Sequence, residues 1–477
     1  VDDNPPTVPA QAELDVLRSR IAGDVIGRGE DGFDATRRAF LLTLDQRPAM
    51  VALPQSAHDV QEIVRFARSA GLRVAPQSTG HGASPLEDLG DAILLKTSRM
   101  RGAEIDPDTR TARAQAGAQW QDVTGPAAEH GLAALAGSAA NVGVLGYTLG
   151  GGIGWLARKY GLSANSVVAA ELVLPDGTLV RADPTNEPDL FWATRGGGGG
   201  MGVVSAIEVA LYPVRELYAG VLFFPIERSA EVLHAWREWT ASVPDELTSI
   251  GRIVQFPPIP DVPEQVRGQS FVLVEAAYLG QERAGEALMR PLRELGPAMD
   301  TFAMMPPPGL AALHMDPPEP VPARGDGVLL ADTPVGAIDA VVAVAGPDSG
   351  SPLLSVELRQ LGGALARTTA ADAGPQRPQR PQGPQGPQAT LAGSCAVFAV
   401  GLAPTPEMGE AVAAHVRQVK GALEPWRAEY DYFNVLDSPG DGDAVLPPDS
   451  YSRLRQLKAR YDPDESIVSA HPIRPAV

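Results

Sequence analysis

The hydrophobic pattern changes period twice between residues 50 and 76. Met50-Val51-Ala52-Leu53 is a short apolar run closed by Pro54, as a buried strand would be. Val60, Ile63, Val64 and Ala67 then recur at helical spacing. Ser56 stands where an N-cap belongs, Asp59 follows three residues on, and Gly71 stops the pattern. Residues 72–76 return as a strand. The unit reads as βαβ, and in such units ligands collect beyond the strand ends.

Further strands are expected at 92–97, 103–105 and 112–116, the last two joined by the turn Asp106-Pro107-Asp108-Thr109. Residues 119–130 read as a helix. Residues 167–174 and 178–182 read as a hairpin turning at Asp176-Gly177. A short helix at 188–194 and a strand at 203–212 follow. Residues 14–213 thus form an α+β region with mixed strands. From about Leu217 the character changes. Strands at 249–256, 271–279, 353–358 and 395–402 alternate with helices at 229–242, 283–295 and 406–420. This predicts a second domain, one antiparallel sheet backed by helices, over residues 214–425. Leu454, Leu457 and Tyr461 mark a last helix. Residues 1–13 are Pro-rich and polar and are expected to be disordered. Residues 374–388 (GPQRPQRPQGPQGPQ) are low-complexity and are expected to form a mobile loop between two strands, without chemistry of their own.

Composition narrows the function. The net charge is −19, which repels nucleic-acid phosphates and anionic membrane surfaces. No uninterrupted apolar stretch is long enough for a membrane span. Neither a nucleic acid nor a membrane is therefore an expected partner, and a small molecule is. Lysine occurs only at Lys96, Lys159, Lys420 and Lys458 beside abundant Ala, Gly, Pro and Arg, a bias that points to a GC-rich, bacterial genome. Cys395 is the only cysteine and lies in an apolar run, so it reads as a small buried hydrophobe. The seven histidines are scattered, and no zinc spacing is present, so no metal is expected. The chain opens on Val1 without Met, so an upstream piece is expected to have been trimmed. A cytoplasmic location is expected, with secretion after signal removal left open.

Two glycine-rich segments carry the candidate chemistry. Gln77-Ser78-Thr79-Gly80-His81-Gly82-Ala83 leaves the end of a strand, and its glycines bare the backbone on either side of His81. His81 is a ligand contact, a covalent attachment point, or a residue that merely closes a turn. Gly150-Gly151-Gly152-Ile153-Gly154 is the second segment. Either a ligand approaches its backbone closely, or a tight loop packs on a neighbouring strand. Gly152-Ile153-Gly154-Trp155-Leu156-Ala157 also satisfies the dinucleotide pattern Gly-x-Gly-x-x-Ala, with Glu171 at ribose-contact distance along the chain. That reading fails, because residues 143–149 contain two glycines and the helix after the match stops at Gly161, too short for a crossover.

Taken together, these features resemble the berberine bridge enzyme-like flavin oxidoreductases of the vanillyl-alcohol oxidase and p-cresol methylhydroxylase superfamily, in their bacterial, hydroxynicotine oxidase-like branch. The resemblance rests on Pro54 with the Ser56 helix, Thr79-Gly80-His81, Val142-Gly143-Val144, the run 150–154 and Arg158-Lys159-Tyr160-Gly161-Leu162. It continues through Asp189-Leu190-Phe191-Trp192-Ala193, Arg195-Gly196-Gly197-Gly198-Gly199, Tyr432-Phe433-Asn434 and Tyr461-Asp462-Pro463. It implies a two-part FAD-binding domain of p-cresol methylhydroxylase type over 14–213, a substrate domain over 214–425, and a C-terminal segment, 426–477, that returns to the first domain. It implies FAD as cofactor. Gln77, Ser78, Thr79, Gly80, His81, Gly82 and Ala83 would wrap its pyrophosphate, and His81 would bond covalently to the flavin 8α-methyl. Gly137, Ser138, Asn141, Val142, Gly143, Gly151, Gly152 and Gly154 would hold the ring and ribityl chain. Gly146, Tyr147, Val203 and Asn434 complete the cofactor set. Four positions depart from the pattern. Ala139 stands where some relatives carry a second attachment cysteine, so a single attachment is implied. Gln77 replaces an arginine, Gly200-Met201 replace Asn-Phe, and Glu465-Ser466-Ile467 replace the usual Asn and aromatic.

The implied reaction moves hydride from an alcohol, amine or phenolic metabolite to flavin N5 and electrons on to O2, giving H2O2. Three residues are catalytic candidates. Tyr432 is favoured as the base. Glu357 and Arg359 share one strand face with Ser355 by period-two alternation, as Glu275 does on its own strand. His314 reads as a surface loop residue. The working unit is expected to be a monomer or homodimer. The alternatives are a flavin-binding protein without turnover, a dehydrogenase using an acceptor other than O2, and a noncovalent nicotinamide enzyme through Gly152-x-Gly154.

Overall fold

The pattern at residues 50–77 folds as its spacing dictates. In the computed structural model, which describes residues 9–86, 89–260, 262–367, 385–440 and 442–476, strand Met50–Leu53 leads into helix Ala57–Ala70 and strand Arg73–Gln77. The Ser56 hydroxyl accepts the Asp59 N–H at 3.2 Å, and the Asp59 carboxylate accepts the Gln55 N–H at 2.9 Å. Gly71 leaves the helix at φ 66°, in the left-handed region that glycine tolerates. Val60, Ile63, Val64 and Ala67 are all buried. The sheet runs in the order Asp24–Gly27, Met50–Leu53, Ala92–Lys96, Arg73–Gln77, with the last three parallel.

A second sheet of five antiparallel strands follows, in the order Ala103–Asp106, Thr111–Gln115, Val203–Ala210, Val167–Val173, Leu179–Ala182. Both sheets share one core that takes in Trp120, Phe191 and Val203. The C-terminal chain joins this core. Helix Pro448–Tyr461 buries Leu454 and Leu457 in it, and Val74 exchanges backbone hydrogen bonds of 2.8 Å with Ser466 and Val468.

A further sheet, of eight strands, is antiparallel throughout. Its order is Met299–Asp300, Leu217–Pro225, Ser270–Tyr278, Leu247–Gln255, Ser355–Gln360, Cys395–Leu402, Ala323–Leu330, and Ala303–Met305 also pairs with Leu217–Pro225. Helices Ser229–Thr240, Glu282–Arg293, Val335–Ala345 and Pro406–Leu423 share one core with one face of that sheet. Strands Leu217–Pro225 and Ala323–Leu330 and helix Val335–Ala345 are absent from the sequence reading. The first is apolar along nearly its whole length, and the second carries Gly325, Asp326 and Gly327, so neither alternates.

Two expectations change. Residues 11–13, placed in a disordered leader, open helix Gln11–Arg18, because Leu14 and Leu17 have a core to enter. Residues 1–8 lie outside the described residues, as do 374–384 of the low-complexity tract. Its end is not a bare loop: Gly386, Pro387 and Gln388 are buried, and the Gln388 amide donates to the Asp431 carbonyl at 3.3 Å. The segment before the decoy dinucleotide match is helix Val144–Leu149, not a strand, and helix Ala157–Tyr160 after it is a single turn. Among the described residues, no helix is long and apolar enough to cross a membrane, and no cluster of three His, Cys, Asp or Glu could hold a metal ion.

Candidate active site

A cavity of about 1210 Å³ lies between the two-sheet region and the face of the eight-stranded sheet opposite its helices. Its first wall is mostly backbone. The chain leaves strand Arg73–Gln77 and turns through Gly80 at φ 83°. A Cβ on Gly80 would stand 2.8 Å from the Ala39 methyl, so only glycine fits there. Among the described residues, none of the N–H groups of Thr79 to Ala83 donates within the chain. Among the described residues, the buried amide of Gln77 and hydroxyl of Ser78 have no hydrogen-bond partner, nor has the buried phenol of Tyr147, which lines the same cavity. Buried polar groups in a native protein are normally paired, so this concentration marks a place built for a polar ligand. A run of free N–H groups suits a phosphate.

His81 is half-buried on this wall. The Phe40 ring stacks on its imidazole at a centroid distance of 3.7 Å, and Thr79 Oγ1 lies 2.7 Å from Nδ1. Burial pushes its pKa down to about 4, with only slight opposition from Asp316. The imidazole is therefore neutral across the physiological range.

Of the cofactor set, Gln77 to Ala83, Gly137, Ser138, Val142, Gly143, Gly146, Tyr147 and Asn434 line the cavity. Five residues do not. The Asn141 amide is turned to the Pro317 and Pro318 carbonyls, at 3.3 and 2.9 Å. Gly151 lies under the Tyr432 ring, Gly152 against Tyr147 and Gly154 against the Ala136 carbonyl, each too close to leave room for a side chain. The glycine run is thus explained by close packing on two tyrosines and a neighbouring segment, while Gly150 and Ile153 meet the cavity instead. Val203 enters the shared core, and its neighbours Gly202 and Val204 line the cavity, as strand alternation requires. Ala139 lines the cavity; Cys395 does not, and burial pushes its thiol pKa up.

The second wall is made of charged side chains on strands. Arg252, Ser355, Glu357 and Arg359 all face the cavity. His314, read as a surface residue, is instead buried at their centre. Its Nδ1 lies 2.6 Å from Glu275 Oε2 and its Nε2 2.8 Å from Glu357 Oε2. Arg252 donates to the His314 carbonyl at 2.6 Å and to Ser355 Oγ at 2.7 Å, and its Nη1 lies 3.2 Å from Glu275. Arg359 sits 3.4 Å from Glu357 and donates to the Ile153 carbonyl at 3.4 Å. Burial and Arg252 push the His314 pKa down, but Glu275, Asp316 and Glu357 outweigh them and raise it to about 9. Burial opposes the charge on Glu357, yet Arg359, His314 and Arg252 hold its carboxyl well below the usual carboxylate range. No sequence spacing marks His314, because its partners come from strands 39 and 43 positions away.

Tyr432 is placed against the base role expected for it. Its phenol oxygen accepts the Gly152 N–H at 2.6 Å and an Asn434 N–H at 3.0 Å. Burial pushes its pKa up, and the amides of Gly152 and Ile153 and the charge of Arg359 do not overcome that. A base working near neutrality needs the opposite shift.

Residues 48–183 match the FAD binding domain family. The (R)-6-hydroxynicotine oxidase of Paenarthrobacter nicotinovorans is 36% identical over 203 residues, 42% of this chain and 44% of that protein. The crystal structure of 6-hydroxy-D-nicotine oxidase from Arthrobacter nicotinovorans matches with a TM-score of 0.76 at 26% identity, over 96% of this chain and 98% of that one. Berberine bridge enzyme from Eschscholzia californica shares the fold, with a TM-score of 0.80 at 18% identity over 97% and 99% of the two chains. In sequence, the chain spans about half the length of the curated relatives it matches.

Proposed function

We propose that this chain, which carries an FAD-binding domain and has FAD-linked oxidoreductases as relatives, is itself an FAD-dependent oxidase of small alcohols, amines or phenols, with FAD attached covalently through His81 alone. One observation carries the reading. A single cavity joins a turn of free N–H groups beside His81 to a wall of preset charges. Bound FAD would supply the two-electron acceptor for a substrate hydride and pass the electrons to O2, giving H2O2.

The chain's own residues divide the remaining work. Thr79 to Ala83 offer backbone N–H groups to the pyrophosphate, and Gln77, Ser78 and Tyr147 offer the polar atoms that have no partner of their own. The neutral imidazole of His81 keeps a nitrogen lone pair for bond formation, and Phe40 and Thr79 fix the plane of its ring. Ala139 offers no second nucleophile. Glu357, ionised between two cations, accepts a hydrogen bond from the substrate O–H or N–H and so orients it, and Arg359 stabilises negative charge beside it. Tyr432 orients the segment 150–153 rather than taking a proton.

Acid precipitation tests the attachment. The wild-type pellet should be yellow and the His81→Ala pellet colourless; a colourless wild-type pellet overturns the covalent reading. Anaerobic bleaching of the flavin by a substrate panel then tests turnover, and peroxide release on admitting air separates an oxidase from a dehydrogenase that uses another acceptor. A flavin that no substrate bleaches would leave a binding protein without turnover.

A further inference from the structure

His314 belongs to a segment that crosses the cavity between its two walls. At one end its ring lies between Glu275 and Glu357 on the eight-stranded sheet. In the middle, the Pro317 and Pro318 carbonyls accept from Asn141. At the other end, Val321 donates to the Phe40 carbonyl at 3.0 Å and its carbonyl accepts from Leu42 at 2.9 Å. Phe40 is the residue stacked on His81. Residues 314–321 line the cavity along this path, and Met315 takes a φ of 55°, which a residue with a side chain adopts only when its surroundings impose it. The strap has no secondary structure of its own over 314–320, so its two ends and the Asn141 contact hold it.

Both ring nitrogens of His314 face carboxylate oxygens at hydrogen-bond distance. A neutral imidazole carries one N–H and can satisfy only one of them; the imidazolium satisfies both. We propose that His314 is a positioning residue whose imidazolium clamps the Glu357 carboxylate in its working orientation and pins the 314–321 strap across the cavity, so that loss of its proton releases both. The inference rests on the oxidoreductase reading only for its effect on turnover; the clamp itself does not need it.

The charged groups around the ring agree with the assignment. Glu275 and Glu357 touch it, Asp316 Oδ1 stands 4.0 Å from Nε2, and Arg252 is the opposing cation, held off the ring by its bonds to Glu275, Ser355 and the His314 carbonyl. Arg359 lies behind Glu357. Three carboxylates therefore face one imidazole, and its proton is retained to about pH 9. Glu357 needs this partner. Without it, among the described residues, Arg359 would be the one side chain left within hydrogen-bond range of the carboxylate, at a distance too long for a strong hydrogen bond.

Histidine NMR of nitrogen-labelled holoenzyme tests the clamp without substrate. One histidine should show both ring nitrogens protonated at pH 8 and turn neutral near pH 9, and its signal should be missing in His314→Gln. A neutral His314 at pH 7 overturns the proposal. Should His314→Gln fail to fold, Glu275→Gln serves instead, and the His314 midpoint should then fall by a pH unit or more; an unmoved midpoint counts against the clamp. Limited proteolysis should cut within 314–321 faster above pH 9 than at pH 7 in the wild type, and equal rates count against the strap. In turnover, His314→Gln should lose about 100-fold in kcat/KM, and the wild-type alkaline limb near pH 9 should disappear from its pH profile. A variant that keeps that limb overturns the positioning role. If no substrate is turned over at all, the oxidoreductase reading fails while the NMR and proteolysis still decide the clamp.

Discussion

The two walls of the cavity are made of opposite materials. The wall around His81 is main chain: glycines, free N–H groups and a few neutral side chains without partners. The wall on the eight-stranded sheet is side chain: two arginines, two glutamates and a histidine locked to one another. A chain of net charge −19 can thus receive an anionic cofactor without a basic cluster, because backbone N–H groups carry the attraction. The opposite wall must fix charge in a dry place, and buried charges persist only when each has a partner. One wall depends on where side chains are missing, and the other on where they meet.

The contrast can be broken one wall at a time. The largest effect is expected from Gly80→Ala, which forces a side chain into a left-handed backbone position 2.8 Å from Ala39. The strain alone is about 1–2 kcal/mol, and the turn cannot keep its shape. Flavin absorbance per protein should fall to near zero while the far-ultraviolet circular dichroism holds; a variant with full flavin content shows that the turn is not the cofactor's seat. Glu357→Gln should do the converse. kcat/KM should drop about 100-fold or more, with flavin content unchanged, and a loss of flavin would show that the walls are not separable. Tyr432→Phe leaves the buried Gly152 N–H without its acceptor, at about 1–3 kcal/mol of stability. Urea unfolding reads that difference, and an unchanged midpoint would remove Tyr432 from the scaffold. The smallest effect, taken per pH unit, is the pH slope of stability. The folded pKa of His314, about 9, is above its ordinary value of 6.5, so its contribution is complete below pH 6.5 and is lost as pH rises through 9. Glu357 has the reverse sign, with a contribution present above about pH 4.5 and lost in acid. Between pH 6.5 and 9 stability should decline by at most about 1.4 kcal/mol per pH unit, and His314→Gln should flatten that slope.

The first wall was largely legible. The Ser56 cap, the Gly71 stop and the glycines around His81 each act within a few residues of the chain, so spacing reveals them. The same logic misplaced Gly151, Gly152 and Gly154. Gly151, required by a tyrosine 281 residues away, looks the same in sequence as a glycine required by a ligand. On the second wall, alternation put Ser355, Glu357 and Arg359 on one face, and they are on one face. It could not say that Tyr432 would be buried into a poor base, since its surroundings come from Gly152, Asn434 and Arg359. Phe40, which covers His81, had no local signal at all.

The amino-acid sequence by itself determined the local devices: the βαβ unit, the turn that bares His81, the hairpins, and the faces of the strands. These follow from propensity, capping and period, which operate over a few residues. Tertiary structure decided protonation and partnership. It decided that His314 lies between two glutamates, that His81 lies under Phe40, and that the glycine run packs on tyrosines. Charge state depends on burial and on neighbours within a few ångströms, and here those neighbours come from strands and loops far apart in the chain.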